Sequence, residues 1–226
     1  MSSTTASTQK TVDSAAIAIV DYGLGNIRSV RRGLERGGAS VSLIDDPAAL
    51  AEADGVVLPG VGAFREGVDN AGPFRDALLT LAEEGTPIFG ICLGMQMLLS
   101  SSEEAAHAGE GDVEGLSLIP GKNIRFSGDR KVPHMGWNEL SIINPHPVFE
   151  GIDGGYAYFV HSYYAQPDSS DAIVATSDYG HDFPAIIATE EGNVFGTQFH
   201  PEKSGDIGLR ILKNFVSYCG DDHDVR

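Results

Sequence analysis

The segment Gly90-Ile91-Cys92-Leu93-Gly94 constrains the fold of this chain most strongly, because it joins an apolar run to a helical pattern through a sharp turn. Residues 87–91 predict a buried strand, and residues 95–99 predict a helix. The two glycines permit a tight turn and close packing of the neighbouring elements. This is the nucleophile-elbow pattern with cysteine in place of serine, so Cys92 is predicted to project from the carboxyl end of a sheet.

The first hundred residues alternate between apolar runs and helical patterns. Strands are predicted at residues 16–20, 41–44, 55–58 and 87–91, with helices after Asn26, at Asp46-Pro47 and over residues 73–84. Alternation of this kind indicates an α/β fold in which a parallel sheet is wrapped by helices.

The second half of the chain has a different pattern. Residues 100–115 are acidic and glycine-rich, which predicts a solvated loop. Shorter strands are predicted at residues 156–164, 172–176, 185–189 and 194–199, and a last helix follows Ser204. In that helix Ile207, Ile211, Phe215 and Cys219 recur every four positions, so Cys219 is predicted to be a core residue.

A length of 226 residues with 42% apolar content fits one large domain. We assign it to residues 15–220, between a Ser/Thr-rich tail at residues 1–14, predicted to be disordered, and an acidic tail at residues 221–226. The first tail lacks the apolar run of a signal peptide, and no apolar segment approaches the roughly twenty residues of a membrane span. We therefore expect a cytoplasmic protein that has no membrane partner and, with only two cysteines in unlike contexts, no disulfide.

The chain carries 32 acidic and 15 basic residues, which gives a formal charge of −17. Such a charge repels nucleic acid and the anionic face of a membrane, so neither is an expected partner. Only five of the basic residues are Lys, and acidic residues crowd the predicted loops. This balance indicates adaptation to high salt, where screening over a few ångströms makes the self-repulsion tolerable.

A reactive cysteine needs a base, and the base needs an orienting group. Without them, the pattern also fits a buried thiol at a glycine-packed strand end. The segment His200-Pro201-Glu202 supplies both groups at the end of a predicted strand. We assign His200 as the base that takes the thiol proton and later protonates the leaving group, and Glu202 as the group that fixes the imidazole tautomer. A His-Pro-Glu turn in isolation is also compatible with an ordinary loop.

An acyl-transfer site must also bind an oxyanion. The backbone N–H of Leu93 follows the nucleophile and is one expected donor, and the glycines of Pro59-Gly60-Val61-Gly62 allow a second peptide to come close, although the same segment fits a simple tight turn. The remaining histidines show no metal-ligand spacing, and Gly23-Leu24-Gly25 lacks the third glycine of a dinucleotide fingerprint. We expect no metal and no cofactor.

Taken together, three segments resemble the class I (triad) glutamine amidotransferases from about Ile17 to Cys219: Pro59-Gly60-Val61-Gly62, Gly90-Ile91-Cys92-Leu93-Gly94-Met95-Gln96 and His200-Pro201-Glu202. The resemblance implies a flavodoxin-like three-layer α/β sandwich with a mainly parallel central sheet. It also implies that Cys92, His200 and Glu202 hydrolyse the side-chain amide of L-glutamine through a γ-glutamyl thioester. By the same resemblance, Gln96 and the backbone around Gly60, Ser162 and Tyr163 hold glutamine, and Leu93 and Val61, with Gly62 beside them, form the oxyanion hole.

Four further segments look like the glutaminase subunits of imidazole glycerol phosphate synthases, one branch of this family. They are Asp21-Tyr22-Gly23-Leu24-Gly25-Asn26, Pro59-Gly60-Val61-Gly62-Ala63-Phe64, Pro133-His134-Met135-Gly136-Trp137-Asn138 and Tyr158-Phe159-Val160-His161-Ser162-Tyr163-Tyr164. The branch implies a heterodimer with a (β/α)₈-barrel cyclase subunit that receives ammonia and makes imidazole glycerol phosphate and AICAR in histidine biosynthesis. The positions that match its interface are Asn26, Met135, Trp137, Tyr158 and Lys203. Composition alone favours Trp137 and Tyr158 as core aromatics and Lys203 as a solvated charge.

Three alternatives to this interpretation stay open at the level of the sequence. The chain fits the glutaminase subunit of another amidotransferase, a catalytically silent amidotransferase-like module that regulates a partner, or a stand-alone cysteine hydrolase of γ-glutamyl compounds. An intact Cys92, His200 and Glu202 argues against the silent module. The interface-like Trp137 and Lys203 argue against the stand-alone hydrolase.

The charge of the chain predicts that its stability depends on salt. We expect the thermal unfolding midpoint, followed by circular dichroism, to rise as the KCl concentration is raised, because counterions screen the repulsion among acidic side chains. Unfolding that is unaffected by transfer to low salt would contradict the salt-adaptation hypothesis.

Overall fold

The computed structural model describes residues 14–104, 111–128 and 130–220. The predicted tails at residues 1–14 and 221–226 lie outside the described residues apart from Ser14, so the domain limits stay a prediction. Within the described residues, no helix is both long and apolar enough to cross a bilayer.

The chain forms a succession of strands and helices. The strands are β1 Ala16–Val20, β2 Ser40–Ile44, β3 Gly55–Gly60, β4 Ile88–Cys92, β5 Leu99–Ser102, β6 Val113–Glu114, β7 Ile119–Arg125, β8 His134–Glu139, β9 Ser141–Ile142, β10 Tyr156–His161, β11 Tyr163–Pro167, β12 Ile173–Asp178, β13 Asp182–Ala188 and β14 Val194–Thr197. The helices are α1 Ile27–Arg36, α2 Phe64–Ala71, α3 Arg75–Glu83, α4 Leu93–Leu98 and α5 Gly205–Gly220.

The central sheet has the order β2-β1-β3-β4-β14-β13-β12-β9. Its first five strands run parallel, and the last three continue the sheet with antiparallel pairing. The order 2-1-3-4 is typical of flavodoxin-like folds. The predicted three-layer α/β sandwich with a mainly parallel sheet is therefore confirmed.

Both faces of this sheet are buried, because apolar side chains of alternate residues point to opposite sides. In β1, Ile17 and Ile19 belong to the cluster that contains Leu34 of α1 and Phe215 of α5. Ala18 and Val20 belong to the second cluster, which holds the buried residues of α2, α3 and α4. The helices thus cover the sheet from both sides.

Two smaller sheets complete the fold, and they show that two predictions were wrong. The run 156–164, predicted as one strand, changes partner at Ser162: β10 pairs with β8 as far as His161, and β11 pairs with β7 from Tyr163 onward. Ser162 itself accepts a hydrogen bond through its carbonyl from the Phe126 amide. A continuous alternation of side chains does not reveal such a change of partner.

The acidic stretch 100–115 is not simply a solvated loop. Its ends form β5 and β6, which join β7 and β11 in a four-stranded sheet of order β11-β7-β5-β6. Residues 105–110 lie outside the described residues. Sequence reasoning also missed the helix α2, which has only eight residues and no capping side chain at Ala63.

In the last helix, the predicted apolar stripe is buried at Ile211 and Phe215, whereas Ile207 and Cys219 are only partly buried against the same core. Cys219 and Cys92 are both free thiols.

The close contact between α4 and β3 predicts that one methyl group added at Gly94 strongly destabilises the fold. A Cβ at Gly94 would overlap the carbonyl oxygen of Leu58, which cannot move without breaking the sheet. We expect Gly94→Ala to lower the free energy of unfolding by about 3 kcal/mol. Urea unfolding at a fixed KCl concentration measures this loss of stability. Guanidinium is a salt, so it would itself alter the screening of the charged side chains.

Gly72→Ala is the matched control for Gly94→Ala. Gly72 has helical backbone angles, and no atom lies within 4 Å of the place that its added methyl group would take, so this substitution is expected to be neutral or mildly stabilising. Equal unfolding midpoints for the two variants would contradict the steric interpretation.

Candidate active site

Three neighbouring parallel strands bring the candidate residues together at one edge of the sheet. Gly60 ends β3 and lies opposite Cys92, the last residue of β4, in the strand register. The next strand, β14, leads directly into Gln198 and His200. Because carboxyl ends of parallel strands meet at the same edge, residues separated by more than a hundred positions become neighbours.

Cys92 adopts the strained backbone expected of a nucleophile elbow. Its φ of 54° and ψ of −107° lie in a region that side chains rarely adopt. Close packing holds this turn: a Cβ at Gly90 would contact the backbone of Met95, and one at Gly196 would contact the Met95 side chain. The predicted junction of strand, turn and helix is confirmed.

His200 and Glu202 form a buried pair beside Cys92. The distance from His200 Nδ1 to Glu202 Oε1 is 3.0 Å, and both side chains are almost completely buried. Cys92 lies close enough to His200 to raise the pKa of the imidazole. Pro201 begins a short 3₁₀ segment that turns the chain between the two residues. The arrangement places an imidazole between a thiol and a carboxylate.

Asn26 contributes to this arrangement from the start of α1. It occupies the N-cap position, but its side chain makes no capping bond. Instead, Nδ2 donates to Glu202 Oε1 at 3.2 Å. Asn26, which the family resemblance places at a partner interface, therefore also holds the carboxylate that orients His200.

The electrostatics of the group favour a charged imidazole. Burial lowers the pKa of His200, but hydrogen bonds with Cys92 and Glu202 outweigh burial and raise that pKa to about 9. Burial raises the pKa of Glu202, and the opposing contacts with His200 and Asn26 bring it below its usual range. The site thus favours an imidazolium beside the Glu202 carboxylate.

His161 lies close to this charge and stays neutral. Burial lowers its pKa to about 3, a direction that the nearby His134 and His200 reinforce. Its Nδ1 is 2.8 Å from the Tyr163 carbonyl, so Nδ1 carries the proton. Its Nε2 lies 3.1 Å from His134 Nδ1. A neutral His161 avoids placing a second cation against His200.

A cavity of about 270 Å³ opens in front of Cys92. Most of the predicted glutamine-binding and oxyanion residues line it: Val61, Gly62, Leu93, Gln96, Ser162 and Tyr163. Gly60 lies behind this wall, where a Cβ would contact the Tyr22 hydroxyl and Leu93. The Leu93 N–H is in the first turn of α4, where a helix leaves its amides without intrahelical partners.

Three residues near the cavity were missed by sequence reasoning. Glu104 lines the cavity, and its Oε2 accepts from the Phe64 amide at 2.6 Å. The Tyr22 hydroxyl donates to the carbonyl of Pro59, and burial raises the pKa of Tyr22, so it remains a donor. Gln198 Nε2 lies 3.7 Å from Cys92 Sγ.

Only one of these three had a usable signal in the sequence. Gln198 lies two positions before His200 at the end of a strand, and the period of two along an extended chain puts both on one side. Nothing distinguishes Glu104 from the other acids in its stretch.

The predicted interface residues form one surface next to the site. Trp137 is 53% exposed and Met135 63% exposed, so the alternative of Trp137 as a core aromatic is wrong. The Trp137 and Tyr158 rings lie 5.9 Å apart, and Lys203 Nζ lies 5.9 Å from the Tyr158 ring. We call Asn26, Met135, Trp137, Tyr158 and Lys203 the docking face.

Comparison with known proteins agrees with this geometry. Residues 18–218 match the family model for glutamine amidotransferase class-I. "Imidazole glycerol phosphate synthase subunit HisH" of Halobacterium salinarum is 68% identical over 207 residues, 92% of this chain and 95% of the relative. The protein of the same name from Natronomonas pharaonis is 67% identical over 205 residues, 91% of this chain and 95% of the relative. Both similarities extend over nearly the whole length of the two chains.

A solved structure gives the same fold at much lower identity. The structure of PurLQS from Thermotoga maritima superposes with a TM-score of 0.70 at 22% identity, and the match covers 91% of this chain and 99% of that chain. This likeness supports the fold.

The buried contacts of His200 predict an unusual titration. We expect its imidazole, followed by NMR of labelled histidine, to titrate near pH 9, and Glu202→Gln to lower that value by about one unit or more. The pKa is raised above its ordinary value of 6.5, so protonation of folded His200 stabilises the protein. This contribution is complete below pH 6.5 and is lost as the pH rises through 9.

Glu139→Gln is the control for that titration, because Glu139 is an exposed carboxylate that contacts Tyr156 and not the site. It should leave the His200 titration unchanged. An equal shift in both variants would indicate a general charge effect and contradict the assigned contact.

Proposed function

The chain belongs to the class-I glutamine amidotransferase family, and from this premise we propose that it is the glutaminase subunit of an imidazole glycerol phosphate synthase. It hydrolyses glutamine to glutamate and ammonia and supplies the ammonia to a cyclase subunit in histidine biosynthesis. The observation that carries the proposal is the strained Cys92 beside the buried His200–Glu202 pair, in a cavity below the size that suits drug-sized ligands. We also expect the protein to act in the cytoplasm.

The geometry supports acyl transfer in two stages. His200 accepts the proton of Cys92, and the thiolate attacks the side-chain amide carbon of glutamine. The oxyanion that forms lies against the N–H groups of Leu93 and Val61. When the tetrahedral intermediate collapses, the C–N bond breaks, His200 returns its proton to the leaving nitrogen as ammonia departs, and a γ-glutamyl thioester remains.

Water completes the reaction. Neutral His200 takes a proton from the water that attacks the thioester carbonyl, and the C–S bond breaks to give glutamate and the free Cys92 thiol. Glu202 keeps the imidazole in one tautomer through both stages, because its contact with Nδ1 leaves the other ring nitrogen to exchange the proton.

The cavity offers complementary groups to an amino acid. Glu104 provides a carboxylate suited to the α-ammonium group of glutamine. Both amide hydrogens of Gln96 are already used, at 2.9 Å to the Tyr163 carbonyl and 3.1 Å to Gln198. Its side-chain oxygen is therefore the atom that serves a substrate N–H.

The docking face supports a partner that receives ammonia. Met135 and Trp137 expose large apolar groups on the outer side of the β8–β10 ribbon, and the same ribbon leads to Ser162 at the cavity. Aromatic residues and Met are enriched in interfaces. We propose that a (β/α)₈-barrel cyclase binds here, so that ammonia passes into its barrel.

The proposal predicts partner-dependent hydrolysis. In high salt, we expect wild-type protein to release glutamate from glutamine much faster with the cyclase and its nucleotide ligand than alone, and Cys92→Ala to be inactive in both conditions. An enzyme-coupled glutamate assay measures both rates. Unstimulated activity would favour the stand-alone hydrolase, and absent activity the silent module.

Two exposed residues test where the partner binds. Trp137→Ala should weaken cyclase binding at least tenfold, as expected of a central aromatic in an interface. Ile143→Ala is the matched control, since Ile143 is 56% exposed but lies outside the docking face. Equal binding by the two variants, measured by calorimetry, would place the interface elsewhere.

A further inference from the structure

We propose that Gln198 is a positioning residue that donates a hydrogen bond to the sulfur of Cys92, holds the sulfur facing the cavity and stabilises the anion that forms when His200 takes its proton. The Gln198 side chain is completely buried, and its Nε2 lies 3.7 Å from Cys92 Sγ. Its backbone amide is fixed by the Ala185 carbonyl at 2.8 Å, which secures the chain just beyond β14. The inference rests on the proposed use of Cys92 as nucleophile.

The backbone carbonyl of Tyr163 sets the orientation of the Gln198 side-chain amide through Gln96. The Gln96 atom that faces the Tyr163 carbonyl must be its nitrogen, because a carbonyl only accepts. That same nitrogen faces Gln198 at 3.1 Å, so the Gln198 atom there must be the oxygen. The remaining atom, the NH₂ group, then points to the sulfur.

A donor at this place meets a need of the buried sulfur. Cys92 is only 7% exposed, so water solvates a thiolate there poorly. His200 supplies one donor, but that proton leaves with the ammonia. The N–H of Gln198 is not consumed in the reaction, so it stabilises the sulfur anion whenever it forms and fixes the direction of attack.

The same amides connect the sulfur to the wall of the cavity. The Gln96 side chain donates to both Gln198 and the Tyr163 carbonyl, and the Asn123 side chain donates to the backbone carbonyl of Gln96 at 2.9 Å. The sulfur is thereby positioned relative to the segment that the proposal assigns to glutamine binding. Loss of Gln198 should consequently affect kcat more than KM.

The test follows alkylation of Cys92 by iodoacetamide as a function of pH in the full-length chain at high salt. Mass spectrometry of the Cys92 peptide separates this reaction from Cys219. For Gln198→Met, which keeps the volume and removes the donor, we expect the midpoint of the pH profile to rise by about one unit. Gln198→Glu, which places a carboxylate beside the sulfur, should raise it further.

Thr197→Val is the matched control. Thr197 is as completely buried as Gln198 and lies next to it in the chain. The substitution removes the 3.0 Å hydrogen bond from Thr197 to the Phe199 carbonyl but no hydrogen bond to Cys92. It should leave the alkylation midpoint unchanged. In the complex, Gln198→Met should lower kcat about tenfold with little change in KM, as for an interaction strengthened in the transition state.

Unchanged alkylation midpoints in folded Gln198→Met and Gln198→Glu would overturn the proposal and leave Gln198 with a packing role. If neither variant folds, the wild-type protein provides the test. The NMR signals of its Gln198 side-chain amide should shift with the same pH midpoint as alkylation. The absence of such a shift would overturn the proposal. Alkylation needs neither glutamine nor cyclase. A shifted midpoint in a protein without glutaminase activity would therefore contradict the proposed function but support the role of Gln198.

Discussion

The close contact between α4 and the strands beneath it is the constraint on which the site depends. Gly94 lies against the Leu58 carbonyl, and Gly90 and Gly196 both lie against Met95, so the helix begins directly above the sheet. With no room for a side chain at these positions, the turn at Cys92 has no relaxed alternative. The strain at Cys92 is held by packing, and the direction of its side chain follows from the same packing.

A second constraint links the docking face to the cavity. In the β8–β10 ribbon, Trp137 lies opposite Tyr158 and His134 lies opposite His161. Because successive side chains point to opposite faces, the first pair faces outward and the second faces the core beside His200. The strand that carries Tyr158 reaches Ser162 at the cavity within four residues. The outer pair and one wall of the cavity therefore belong to the same two-stranded ribbon.

The sequence predicted those parts of the site that depend on short local segments. It predicted less where a residue contacts others that are far away along the chain. The elbow around Cys92 and the turn at His200 carry their own backbone requirements, so both could be predicted from short segments. The change of sheet at Ser162 could not, because alternation along a strand does not depend on which strand lies beside it. Glu104 depends on the pairing of β5 with β7, and its identity as an acid in an acidic stretch conveyed nothing about its neighbours.

The balance of charge inside the site explains why so many amides surround it. In the ion-pair form, the sulfur, the imidazolium and the Glu202 carboxylate bring a net negative charge into a region with little water, and burying charge is unfavourable unless donors compensate. Asn26 donates to the carboxylate and Gln198 to the sulfur, one at each end of the triad. His161 remains neutral, so it adds no repulsion to His200. Neutral amides can stabilise both anions without quenching either, which leaves the imidazolium as the group that moves a proton.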